Sequence, residues 1–188
     1  MLLPYRWSIF ERKQSVMKKL ITTTVTLLIC GLSFAQNRTK DEAAINKQVD
    51  AMIYSWNNHN YDDMKNYTTE NTDWVNVVGM WWKGRKESQY AHQVYQNTIF
   101  KTSVGEKKSV AIRFITKDVA IVHFEWQFYG GAPLPDGTPP KTKDNPNVDL
   151  AALVFVKQNG KWLLEAGENV HIVPEVQQFD PVKQMPKD

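Results

Sequence analysis

From Glu106 onward the apolar residues recur at every second position, and this patterning constrains the fold more than any other feature of the chain. The runs "KKSVAIRFI" and "DVAIVHFEWQFYG" meet at a tight turn, Thr116-Lys117. The runs "VDLAALVFVKQ" and "KWLLEAGENVHIV" meet at Asn159-Gly160, a pair suited to a two-residue hairpin loop. Four such strands predict an antiparallel meander. The preceding segment has a different period. Ile45, Val49, Met52 and Trp56 recur at helical spacing behind a capping box, Thr39 with Glu42, which predicts a helix to Asn57. Tyr61, Met64 and Tyr67 predict a short second helix, Asp73 to Val78 a strand, and Glu87 to Ile99 a third helix. Helices first and a meander after is an α+β layout: a curved antiparallel sheet must bury one face against the N-terminal helices. Such a sheet wraps a cone whose open end could admit a ligand. The long loop "GGAPLPDGTPPKTKDNPN" between the two hairpins has the length of a lid or binding element.

The start of the chain reads as a leader. Met17-Lys18-Lys19, the apolar run "LITTTVTLLICGL" and small residues at Ser33 and Ala35 are the three parts of a secretory signal. The run is shorter than the ~20 residues that span a bilayer. Cleavage is expected after Ala35, which gives a removed leader over 1–35, one domain over 36–173 and a flexible, proline-containing tail over 174–188. The expected location is periplasmic or extracellular. Cys30 is the only cysteine, and Ile29 before it is not the small residue that lipidation wants, so the mature chain offers neither disulfide nor thiolate. Removing Arg6, Arg12, Lys13, Lys18, Lys19 and Glu11 from 23 basic and 20 acidic residues leaves 18 against 19. A net charge of −1 argues against nucleic acid or an anionic membrane as partner once the leader is gone.

The stretch "DWVNVVGMWWKGR", Asp73 to Arg85, concentrates three tryptophans around one asparagine. Together with "WNNHNYDDMKNYTTENT" before it, His92, "NTIF" at 97–100 and "GKWLLEAGEN" near the end, it resembles the SnoaL-like proteins, particularly their SgcJ/EcaC-type branch. These belong to the nuclear transport factor 2-like, cystatin-like cone superfamily, and the resemblance spans Asp41 to Ile172. It implies the cone fold and leaves function open, because the superfamily includes isomerases, dehydratases, cyclases and association modules. Laid over this chain, the ketosteroid isomerase pattern places its aspartate base on Asn76, its oxyanion tyrosine on Met52 and its protonated aspartate on Ala152. An amide cannot take a proton from carbon at neutral pH, and methionine and alanine donate nothing to an oxyanion. That chemistry is therefore not expected, but the overlay implies that Trp74, Asn76 and Val78 face the cavity.

The strand Val119 to Tyr129 has one apolar face (Ala120, Val122, Phe124, Trp126, Phe128) and one mixed face (Val119, Ile121, His123, Glu125, Gln127). General rules put the apolar face in the core and the mixed one in water. The resemblance implies the reverse: His123 and Glu125 turned into the cone, and an outer face of Phe124, Trp126, Trp162 and Leu164 covered by a second copy in a homodimer. The last strand then points Glu165, Gly167, Asn169 and His171 inward. On this reading His123, Glu125 and His171 are the catalytic candidates, His123 the base and Glu125 its orienting carboxylate. Trp74, Asn76, Val78, His92, Tyr95 and Asn169 are the ligand-binding candidates. The two histidines and Glu125 could alternatively hold a metal, although no metal and no cofactor is assigned. No glycine fingerprint for a nucleotide follows a strand. Two functions stay open: a secreted pocket protein for a small apolar molecule, with acid–base chemistry on it, or a dimerisation module whose cone is filled by its own side chains.

Overall fold

The structure, a computed structural model, describes residues 38–186. The leader expected over 1–35 lies outside them. The contacts divide the chain between Glu42 and Ala43, and everything below, the first residues of the first helix apart, concerns the part from Ala43 onward. A first helix, α1, occupies 38–57. It is already helical at 38, so Thr39 is not its N-cap. The spacing of three in Tyr61, Met64 and Tyr67 does not make an α-helix but a single 3-10 turn, Met64–Asn66, whose period is three. These three side chains form a small buried cluster of their own.

Six strands make one sheet: β1 (Thr68–Val75), β2 (Trp81–Trp82), β3 (Val104–Phe114), β4 (Val119–Tyr129), β5 (Asn147–Gln158) and β6 (Lys161–His171). The helix α2 (Gly84–Asn97) lies between β2 and β3 in sequence. The spatial order is β2-β1-β6-β5-β4-β3. The meander β3 to β6 is antiparallel as expected, with Asn159 and Gly160 both at positive φ (51° and 78°) in the β5–β6 hairpin. The sheet as a whole is mixed, because β1 lies parallel to β6. No tight turn joins these two strands; α2 and the rest of the meander intervene, and a long connection permits the parallel pairing. After β6, Pro174–Gln177 forms one helical turn (α3) and Pro181–Gln184 a 3-10 turn, where the sequence suggested a flexible tail. Among the described residues no helix is long and apolar enough to cross a membrane.

Ile45 and Val49 of α1 pack on Ala120, Val122, Phe124, Leu153, Phe155 and Leu164. The inner face of β4 is thus the apolar one, against the expectation drawn from the resemblance. His123 is exposed on the outer face and Glu125 shares that face. The reason is the general one: α1 offers an apolar stripe, and burying Val122 and Phe124 against it is favourable where burying an unpaired imidazole and carboxylate is costly. Trp162 and Leu164, expected outside, are also buried. A bulge decides this. Phe155 pairs with Leu164 but Val154 with Ala166, so Glu165 is an extra residue in β6 and the side-chain alternation inverts across it. Trp162 and Leu164 face the core before the bulge; Gly167, Asn169 and His171 face inward after it.

Candidate functional site

Between α1, α2 and the inner face of the sheet lies a cavity of about 380 Å³. Its walls are mainly aromatic. Trp56 on α1 contacts Trp126, Phe100 and Phe128 with ring centroids 4.7, 4.9 and 5.3 Å away. Two glycines make room for these rings. A Cβ at Gly167 would stand 2.3 Å from a ring carbon of Trp74, and one at Gly105 would stand 2.9 Å from Trp56 Cδ1. The helix α1 is held in register with β3 by Asn57, whose amide donates to the Gly105 carbonyl (3.0 Å) and accepts from its N–H (2.7 Å). The long loop after β4 is fastened to the end of α2 by Ala132 N–H to the Ile99 carbonyl (2.7 Å), and it sends Leu134 to the cavity.

The tryptophan-rich stretch after Asp73 is a hairpin. Trp74 pairs with Trp82 across β1 and β2. Asn76 ends the strand earlier than expected, because its side-chain oxygen accepts from the N–H groups of Val78 (3.1 Å) and Met80 (2.9 Å), and Gly79 takes a φ of +80°. Asp73 fastens the other end, accepting from Trp81 Nε1 (3.1 Å) and Gly84 N–H (3.0 Å) at the start of α2. The amide at 76 therefore shapes the turn while also lining the cavity.

On the sheet wall, Asp149 of β5 stands directly opposite His171 of β6. The Asp149 side chain is only 2 % exposed, that of His171 48 %. One carboxylate oxygen pairs with His171 Nδ1 and the other accepts from Asn169 Nδ2 at 2.8 Å. A carboxylate only accepts, so Nδ1 carries the hydrogen and the neutral ring has its lone pair on Nε2. The bond to Asp149 raises the His171 pKa above its ordinary value, more than burial lowers it. A half-accessible imidazole, oriented by a buried carboxylate and rendered more basic by it, is equipped to take up a proton.

On the helical wall, His92 has the opposite character. Its ring sits among Tyr61, Trp82 and Trp74 at centroid distances of 4.9, 5.0 and 5.2 Å. Nδ1 lies 2.7 Å from the Ser88 carbonyl, which fixes the hydrogen there. Burial lowers the His92 pKa to about 4, the bond to Ser88 opposing only part of that. The residue keeps some accessible surface and lines the cavity.

Trp74, Asn76, Val78, His92, Tyr95, Asn169 and His171 thus all line the cavity, Val78 largely exposed. His123 and Glu125 do not, and since they occupy the opposite face of the sheet from His171, the three cannot meet as a base with its partner or as a metal set. Of the ketosteroid isomerase positions, Met52 faces the cavity and Ala152 is exposed outside. The partner of His171 is Asp149, which was missed. Its signal was present: in "VDLAALVF" it alternates in phase with Ala151, Leu153 and Phe155, a carboxylate on an otherwise apolar inward face.

No protein-family model matches the chain, nor does any curated protein. Solved structures do. An uncharacterised protein with a cystatin-like fold from Caulobacter vibrioides is 28% identical, with a TM-score of 0.70, covering 77% of this chain and 98% of that one. A domain of unknown function with a cystatin-like fold from Nostoc punctiforme is 26% identical, with a TM-score of 0.59, covering 79% and 88%. A putative dehydratase of the nuclear transport factor 2-like family from Streptomyces avermitilis is similar in fold alone, at 14% identity and a TM-score of 0.59, covering 72% and 98%. The mixed sheet curved over α1 and these likenesses lead to one conclusion: the chain is a protein of the cystatin-like, nuclear transport factor 2-like fold.

Proposed function

We propose that this protein takes a small, largely apolar molecule into the cavity and moves a proton on it, with His171 Nε2 as general base and Asp149 as the group that orients and stabilises the resulting imidazolium. The observation that carries the reading is the buried Asp149 carboxylate bound to His171 at the wall of an aromatic cavity. Proton removal from carbon, with or without loss of a neighbouring group, is the class of reaction such a pair serves. Proteins of the same fold named hexachlorocyclohexane dehydrochlorinase and putative dehydratase are consistent with it, since both names denote eliminations. We further propose, from the signal-like pattern over 17–35, that the protein acts in the periplasm or outside the cell. The test needs no known substrate. Small cyclic ketones and chlorinated hydrocarbons that raise the melting temperature are incubated with the protein in D2O, and proton NMR follows exchange of their acidic C–H groups. Wild type and His123→Gln should catalyse exchange and His171→Gln should not. Binding without exchange in wild type would leave a carrier and refute the base.

A homodimer through the outer sheet face is a second part of the proposal, on residues other than those first expected. The registers place Ile121, Val154 and Ala166 side by side, flanked by Val119, Val156 and Leu163. That is an apolar strip that a second copy would cover. Sedimentation should show a dimer for wild type and a monomer for Val154→Arg; a monomeric wild type at micromolar concentration would refute it.

A further inference from the structure

Three buried donors around the cavity have no acceptor, while one buried acceptor on the sheet wall, Asn169 Oδ1, has no donor. Gln96 of α2 is 1 % exposed and Tyr67 is 1 % exposed, yet Gln96 Nε2, Tyr67 Oη and Trp56 Nε1 are buried without a hydrogen-bond partner, and all three residues line the cavity. The Gln96 amide is held in place from its other end. Its Oε1 accepts from His59 Nδ1 at 2.7 Å, while Gln93 takes the Tyr61 N–H (2.9 Å) and donates to the His59 carbonyl (3.1 Å), clamping the 59–61 loop onto α2. His59 has a φ of 52° within that clamp. The Tyr61 phenol is near enough to feel the Gln96 amide, and the Tyr67 phenol to feel Ser55, but neither pair closes a hydrogen bond. Burial pushes both phenols up, so both stay protonated and able to donate.

Buried polar groups are nearly always partnered, and three unserved donors around one cavity are an arrangement that an acceptor would complete. No lysine or arginine among the described residues lines the cavity, and Asp149 is a lining carboxylate. His171, the lining group able to become cationic, is already paired with Asp149, so a ligand bringing a negative charge would find no free counter-charge and a carboxylate nearby. An uncharged oxygen meets both conditions. We propose that Gln96, Tyr67 and Trp56 form a donor subsite that selects neutral ligands carrying a carbonyl-type acceptor oxygen on an apolar body, such as a ketone or ester, with that oxygen on the helical wall and the body extending toward His171. This rests on the reading of the cavity as a ligand pocket and specifies the class of molecule it takes.

Three probes of similar shape separate the possibilities by calorimetric titration: 2-acetylnaphthalene, its hydrocarbon counterpart 2-isopropenylnaphthalene, and 2-naphthoate. The ketone should bind wild type about tenfold more tightly than the hydrocarbon, the effect of one hydrogen bond to a buried donor, and the carboxylate should bind weakest. Tyr67→Phe, which removes only the hydroxyl, and Gln96→Leu should each reduce the preference for the ketone. The double variant should reduce it further, to what Trp56 Nε1 alone supplies, and His123→Gln, on the outer face, should keep it in full. Equal affinity of wild type for ketone and hydrocarbon, or an undiminished preference in the double variant, would overturn the donor subsite while leaving the pocket standing. Failure of all three probes to bind would overturn the pocket reading, and the subsite with it.

Discussion

His92 should make the protein sensitive to mild acid, by an amount that follows from its surroundings. In the unfolded chain its imidazole titrates near 6.5; in the aromatic box of Tyr61, Trp74 and Trp82 burial lowers it to about 4. Between these values the unfolded chain holds more protons at this site than the folded one, so the free energy of unfolding rises with pH. The contribution is complete above the unfolded value and is lost as pH falls from there toward 4. One pH unit corresponds to about 1.36 kcal/mol, and the linkage expression places the loss at pH 4.5 on the order of 2–3 kcal/mol relative to pH 7. Against a stability on the order of 5–15 kcal/mol this is a large share. The assay is urea unfolding followed by circular dichroism at pH 7 and pH 4.5, for wild type and for His92→Phe, which retains a ring in the box. Every other titrating group is common to both proteins and cancels. Wild type should lose about 2–3 kcal/mol more than the variant between the two conditions. Equal losses would show that the ring is solvated or already protonated in the folded state, and the buried, neutral assignment would be wrong.

His171 should behave in the opposite sense. Its raised pKa means that its interaction with Asp149 stabilises the fold below the unfolded value near 6.5 and is lost as pH rises through the folded value, while base activity appears over that same rise; an NMR titration of the ring should move back toward the ordinary value in Asp149→Asn. Gly167→Ala forces a methyl group into the Trp74 ring and should cost about 1–3 kcal/mol in urea unfolding, with a change in the near-ultraviolet tryptophan signal. Asn76→Ala removes two hydrogen bonds of the 76–80 turn and should cost about 1–2 kcal/mol by the same assay, with the end of β1 losing protection in hydrogen exchange.

Much of the architecture was legible in the chain because it depends on local chemistry. The period of two from Glu106, the Asn159-Gly160 turn and the apolar stripe of α1 each act over a few residues, and the meander and its covering helix followed. Asn76, His92, Asn169 and His171 were also placed on the cavity, through resemblance and alternation. What the chain could not disclose lies in pairings between distant segments. The parallel docking of β1 on β6 has no local turn to announce it. The extra residue at Glu165 appears only when β6 is laid against β5, and it determines which side of the strand Trp162, Leu164 and His171 face. Alternation alone marks two faces of β4 and does not say which is covered; the packing of Ile45 and Val49 decides it, sending His123 to the surface. The partnership of Asp149 with His171 joins residues 22 apart in sequence, and only the register of two folded strands sets a carboxylate opposite an imidazole. Local patterns specify elements because neighbouring residues share one backbone geometry, whereas a site assembled from several elements exists only once burial and strand pairing have chosen how they meet.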